Sequence, residues 1–203
     1  MSYVTNPGPV SLGKRAARAD PRLPTLGAVL DRRHLPTPPK WVNWRAMMPA
    51  AGVPMLGNDR AGCCVFATFM HYLQILAEYT HVKLPHGPTE QECISAYSAV
   101  TGYDPRIPSS DQGTYYAGQG GAFDYWIKHG ILCGGRLNKL TDVILLDHNN
   151  QIDLKDALNI GPVMLGAVLS ESDLDSPFMW SDHQGPIVGG HAFLCRLRNS
   201  SIR

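Results

Sequence analysis

Residues 57–74 read GNDRAGCCVFATFMHYLQ: a polar, glycine-bearing turn, two adjacent cysteines, then an apolar run. From Cys64 onward Val65, Phe66, Phe69, Met70, Leu73, Leu76 and Ala77 recur at three- and four-residue intervals. That spacing lays one wide apolar stripe along a helix and predicts its end near Tyr79. Cys64 falls in the first turn. Unpaired backbone N–H groups there carry partial positive charge, which favours the thiolate, the nucleophilic form of sulfur. The same place also suits a small apolar residue packed where a helix meets its loop, because free cysteine is often buried.

A thiol nucleophile needs a base. Gly189, Gly190 and His191 precede and open a strand-like run, HAFLCRL, which sets an imidazole at a strand start. Cys–His pairs of this kind come from distant sequence and meet in space. His71 lies nearer in sequence, seven residues beyond Cys64, but about 10 Å of helix rise separates the two, too far to share a proton directly. A structural role is expected for His71.

The rest of the chain fills in around these two points. Pro88, Thr89, Glu90 and Gln91 read as a helix start, the helix running through about Val100. The loop from Gly113 to Gly121 breaks regular structure, and AFDYWIKHGI after it reads as a short helix stopped by Gly130. PVMLGAVL, after the turn at Gly161, is the first of two late strands. Helices first and strands afterwards favour an α+β fold over an alternating parallel sheet.

With 203 residues and 44% hydrophobic content the chain can bury a substantial core, and one globular unit with a tail is expected. Eighteen basic and seventeen acidic residues leave a net charge of +1, no field to favour nucleic acid or an anionic membrane as a partner. No apolar run approaches the ~20 residues of a membrane span, and the N-terminus lacks the order of a secretory signal, so a soluble, non-exported protein is expected. The five cysteines, 63, 64, 93, 133 and 195, are an odd number and too few for a disulfide scaffold. Nor do they and the histidines form the paired spacing of a zinc motif, so neither metal nor cofactor is expected. A vicinal Cys63–Cys64 disulfide is one alternative to a passive Cys63.

Residues 1–39 hold Pro7, Pro9, Pro21, Pro24, Pro36, Pro38 and Pro39, with Arg15, Arg18, Arg22, Arg32 and Arg33 between them. Such a segment builds no core of its own. An extended arm lying on the domain is expected, and a regulatory or partner-binding arm is the alternative.

Five segments, in order, resemble the papain-like cysteine peptidases, over about residues 40–195. WVNWR at 41–45 looks like the VDWR segment that opens the mature domain, and GNDRAGCCVFA looks like the QGxCGSCWAF segment. QGGAFDYWIKHGI resembles the NGG loop and its helix, LKDALNIGPVMLGAVL the helix and strand joined by the xGPV turn, and GGHAFL the histidine strand. The NDxxGxC spacing is also similar to that of divergent phage and bacterial members. The resemblance implies a helical half carrying the nucleophile, packed against an antiparallel strand-rich half, with the domain at 40–203 ending before the usual C-terminal hairpin. It implies Cys64 as nucleophile, His191 as base, Asn58 as the oxyanion donor six residues before the cysteine, and Gly120, Gly121 and Gly190 lining the substrate cleft.

The chemistry so implied is acyl transfer on a peptide or isopeptide bond of a peptide or protein substrate. His191 holds the Cys64 thiolate as an ion pair and then protonates the leaving amine, while the Cys64 N–H and the Asn58 amide face the oxyanion. The alternative is a catalytically inactive papain-like fold used for binding or assembly, for instance in a phage particle.

Overall fold

A computed structural model describes residues 11–18, 20–35, 41–48, 53–175, 185–195 and 197–199. The chain runs α1 (Leu26–Val29), β1 (Trp41–Asn43), α2 (Cys64–Tyr79), α3 (Glu90–Thr101), α4 (Ala122–His129), β2 (Ile131–Cys133), β3 (Arg136–Asn138), α5 (Gln151–Ile160), β4 (Val163–Ser170), α6 (Glu171–Asp175), β5 (Ile187–Cys195) and β6 (Leu197–Asn199). The arm prolines Pro7, Pro9, Pro36, Pro38 and Pro39 lie outside the described residues.

Helix α2 occupies the span that its apolar spacing dictates, Cys64–Tyr79, and is the centre of the core. Phe66, Phe69 and Met70 are fully buried, as are Tyr97 of α3, Trp126 of α4 and Ile131 of β2 that surround them. The Phe69 ring lies 4.6 Å from that of Trp126 and 5.1 Å from that of Phe123, centroid to centroid. Truncating such a ring costs about 3–5 kcal/mol, so Phe69→Ala is expected to lower the unfolding midpoint more than any surface change.

Local capping sets the other helix ends. Thr89 and Glu92 form a reciprocal capping box on α3, and Gly102 closes that helix at φ 74°. Asn150 accepts from the N–H groups of Ile152 and Asp153 at the start of α5. Glu92 also receives the N–H groups of Gly134 and Gly135, pinning the β2–β3 hairpin to α3. Burial alone would raise its carboxyl, but the N–H groups of Gly135, Thr89 and Gly134 outweigh that and hold it below its ordinary value.

Strands β4 and β5 pair antiparallel from Val163↔Cys195 to Ser170↔Ile187, and β5 packs against α2. Strand β1 pairs antiparallel with β6, and β2 with β3. The helical half and the antiparallel half are therefore both present, as expected. One element differs: β5 begins at Ile187, so Gly189, Gly190 and His191 lie inside the strand, and His191 pairs with Ala167 rather than opening the strand.

Candidate active site

Cys64 is the first residue of α2, and Cys63 is its N-cap. Both thiols are free and buried, which leaves no vicinal disulfide. Packing of β5 on α2 brings the histidine strand to the sulfur: the N–H of Ala192 donates to Cys64 Sγ, and the residue before it on the strand is His191. The Cys63 thiol instead turns away, donating to the carbonyl of Leu56 at 3.7 Å. Leu56 is one of two non-glycine residues with positive φ among the described residues, so the loop before Cys64 is held in a strained conformation.

Residues 11–18 of the arm cross this site. Ser11 N–H donates to the Asn58 carbonyl at 2.6 Å, and Lys14 N–H to the Gly190 carbonyl at 3.0 Å. Gly13 accepts from Thr114 N–H and Arg15 donates to Thr114 O, both at 2.8 Å, so Lys14 pairs in parallel with Thr114. The N–H of Gly13 itself donates to Cys64 Sγ. Farther along, the guanidinium groups of Arg15 and Arg18 lie 4.5 Å and 3.4 Å from the centre of the Tyr115 ring. Asp20 receives Gly118 N–H at 3.3 Å and is bound by Arg22, which also reaches Asp124 at 3.1 Å. Arg32 completes the attachment through Asp153 and Asp156 of α5.

Covered in this way, Cys64 and His191 are both driven toward neutrality. Burial pushes the Cys64 thiol above its ordinary value; the N–H groups of Gly13, Ala192 and Val65 pull the other way without overcoming it. Burial also lowers the imidazole of His191. Among the described residues His191 Nδ1 has no hydrogen-bond partner, so it is not bonded to Cys64 in this state. The expected resting ion pair is therefore not what the arm-covered site favours, because the desolvation of both groups exceeds the help from the helix start.

Similarity of fold to one solved structure adds to this geometry. No family model matches the chain, and no curated protein matches it in sequence. A solved structure does match: xylellain, a cysteine protease from Xylella fastidiosa, at TM-score 0.70 and 16% identity, over 100% of this chain and 85% of that one. The fold is that of a papain-like cysteine protease. At this identity the likeness extends to the fold and not to the phage and bacterial subgroup.

Placed on that fold, the residues expected from sequence divide into two sets. Cys64, His191, Gly190 and Asn58 all lie along the path of the arm; Asn58 is buried, and its Oδ1 has no partner among the described residues. Gly120 and Gly121, expected to line a substrate cleft, lie at the start of α4. Gly120 has open space around it and donates to Asp124, and Gly121 caps α4 against its own loop. Gly113 and Thr114, at the other end of the same loop, meet the arm at Gly13 and Lys14. His71 has the structural role expected, its Nε2 lying 2.9 Å from the Pro54 carbonyl. Among the described residues no cluster of His, Cys, Asp and Glu could hold a metal, and no helix is long and apolar enough to cross a membrane.

Proposed function

We propose that the protein is a cysteine peptidase that cleaves peptide or isopeptide bonds, with Cys64 as nucleophile and His191 as base. The observation that supports the reading is the Ala192 N–H on Cys64 Sγ: the residue before Ala192 is a histidine, and the thiol stands at a helix start in a fold similar to that of a cysteine protease.

With the arm displaced, His191 takes the thiol proton and the sulfur attacks the scissile carbonyl. The C–N bond breaks as His191 returns the proton to the leaving amine, and the acyl group stays on sulfur as a thioester. Water, deprotonated by His191, then releases the acid and the thiol. The free N–H of Cys64 in the first turn and the Asn58 carboxamide would face the oxyanion. Asparagine reaches one methylene less far than glutamine, and loss of such a donor raises the barrier by about 2.7–4 kcal/mol.

A second reading, a non-catalytic scaffold, is favoured by the covered and neutral thiol. The deciding experiment is turnover of a peptide library by the full chain, with trapping of a Cys64 thioester by acid quench and mass analysis. A thioester at Cys64 supports the peptidase; turnover that survives Cys64→Ala, or none at all with an accessible thiol, refutes it.

A further inference from the structure

Asn58 and Cys64, whose N–H groups would face the oxyanion, are joined by a short turn, and the shape of that turn sets how far apart the two donors stand. Its first part closes on itself: the N–H groups of Arg60 and Ala61 donate to the Gly57 carbonyl at 3.0 Å and 2.9 Å. Its last part closes around Gly62, with Cys63 N–H donating to the Ala61 carbonyl at 2.7 Å. Gly62 has no side chain to hold it in place, and glycine is the residue whose backbone is least restrained. Its N–H leaves the turn and donates to Asp111 Oδ2 at 2.7 Å.

Asp111 spends both carboxylate oxygens at this point. Its Oδ1 accepts the hydroxyl of Tyr97, a buried residue of α3, and that hydroxyl accepts Gly113 N–H at 3.0 Å. Among the described residues Asp111 forms no ion pair, whereas Asp20, Asp31, Asp104, Asp153 and Asp156 each hold an arginine. The carboxylate also lies hard against the turn, since a Cβ on Gly62 would meet Asp111 Oδ1 at 2.9 Å. The arm packs on the other side: a Cβ on Gly13 would lie 1.8 Å from the Gly62 carbonyl oxygen, so a Gly13→Ala arm cannot seat there. Hydrogen bonds to a charged acceptor are the stronger kind, and a buried N–H that loses one is costly to leave unpaired, so without Asp111 the turn shifts.

We propose that Asp111 is a positioning residue for acyl transfer at Cys64: through Gly62 it fixes the spacing of the Asn58 carboxamide and the Cys64 N–H, and with it the stabilisation of the oxyanion. This rests on the peptidase reading, which assigns those two donors. Asp111 acts through the turn and not on the reacting atoms.

The test compares two small reagents at one sulfur in the full-length chain, each rate corrected by that of Cys64→Ala. With p-nitrophenyl acetate the sulfur attacks the carbonyl, an oxyanion forms, and the C–O bond breaks to leave an acetyl thioester and p-nitrophenolate, the thiol proton passing to His191. With iodoacetamide the sulfur displaces iodide, the thiol proton leaves to base, and no oxyanion forms. Both reagents meet the same thiol under the same arm, so coverage and ionisation cancel in the ratio of acylation to alkylation. Asp111→Ala is expected to lower that ratio at least about tenfold, the scale of a misplaced oxyanion donor. Asp111→Asn, whose Oδ1 still accepts from Gly62, should keep most of it, and so should Tyr97→Phe, which leaves Asp111 on Gly62. If Asp111→Ala does not fold, Asp111→Glu, which carries the carboxylate one methylene farther, is read in its place with the same loss expected. An unchanged ratio, or an equal fall in Tyr97→Phe, overturns the role. The peptidase reading fails separately: a ratio lowered by Asp111→Ala in a chain that cleaves no peptide retains the positioning of the donors and removes the peptide substrate.

Discussion

The backbone N–H of Gly13 is hydrogen-bonded to the sulfur of Cys64, so the arm places a donor directly on this thiol. The contact stabilises the thiolate, yet the burial that comes with it is the larger effect and pushes the thiol above its ordinary 9.0. Alkylation of Cys64 in the wild-type chain is therefore expected to climb only above about pH 9, well past an activated cysteine. In Gly13→Ala, with the burial relieved, the midpoint should fall. A wild-type midpoint below pH 8 in a rate-against-pH profile would show that the arm does not cover the thiol in solution.

The arm is held beyond the site by the stack of Arg15 and Arg18 on Tyr115. Cation–π contacts of this kind contribute about 0.5–2 kcal/mol, so Tyr115→Leu should open the cleft several-fold more often without touching its walls. The measurement is the iodoacetamide labelling rate of Cys64 at fixed pH, which should rise several-fold while the melting temperature stays within a few degrees. An unchanged rate would move the arm's attachment to its other clasps.

How much of this was legible in the sequence differs by element. Helix α2 was readable because its own apolar stripe makes it, and so was the placing of Cys64 in the first turn. The start of β5 was misread because Gly189 and Gly190 look like breakers. In the structure they are strand glycines whose missing side chains admit the arm: a Cβ on Gly190 would lie 2.1 Å from the Lys14 carbonyl, and one on Gly189 2.9 Å from the Leu12 side chain. That Gly113 meets the arm was not legible for a related reason. Which end of a glycine-rich loop faces the cleft is decided by Lys14–Thr114 pairing across about a hundred residues, and local pattern carries no record of it. Asp111 had no signal beyond its position at the loop's start.

Acid is expected to leave the arm in place over a wide range. The side chain of Arg22 holds the Asp20 carboxyl down to about 2, against an ordinary value of 3.8. A depressed carboxylate contributes stability that is present above its unfolded value and is lost as pH falls through its folded one. The Asp20 clasp, including its bond to Gly118, should thus persist at pH 5 and fail only between about pH 4 and 2. Asp124, Asp153 and Asp156 are the other carboxylates facing the arm's arginines. Dithiodipyridine reacts with thiols in mild acid, giving a mixed disulfide and thiopyridone, and reads the opening. A rise in Cys64 labelling with a midpoint near pH 5, retained in Asp20→Asn, would show that the Asp20 clasp does not hold the arm.

The two adjacent thiols are expected to separate cleanly in function. Cys64 stands in the first turn of α2 with the N–H groups of Gly13, Ala192 and Val65 on its sulfur, whereas the Cys63 thiol points into the core toward the Leu56 carbonyl. Replacing Cys64 by alanine removes the proposed nucleophile, so hydrolysis should fall to background with the fold intact. Cys63→Ala removes one buried sulfur and one weak hydrogen bond, a loss of about 1–2 kcal/mol in stability, and should leave most of the turnover. Steady-state rates on a peptide substrate, read beside thermal melts, distinguish the two effects. Equal loss of turnover in both variants at matched folding would mean that Cys63 takes part in the chemistry, and loss in Cys63→Ala alone would transfer the nucleophile to the wrong side of the helix start and overturn the assignment of Cys64.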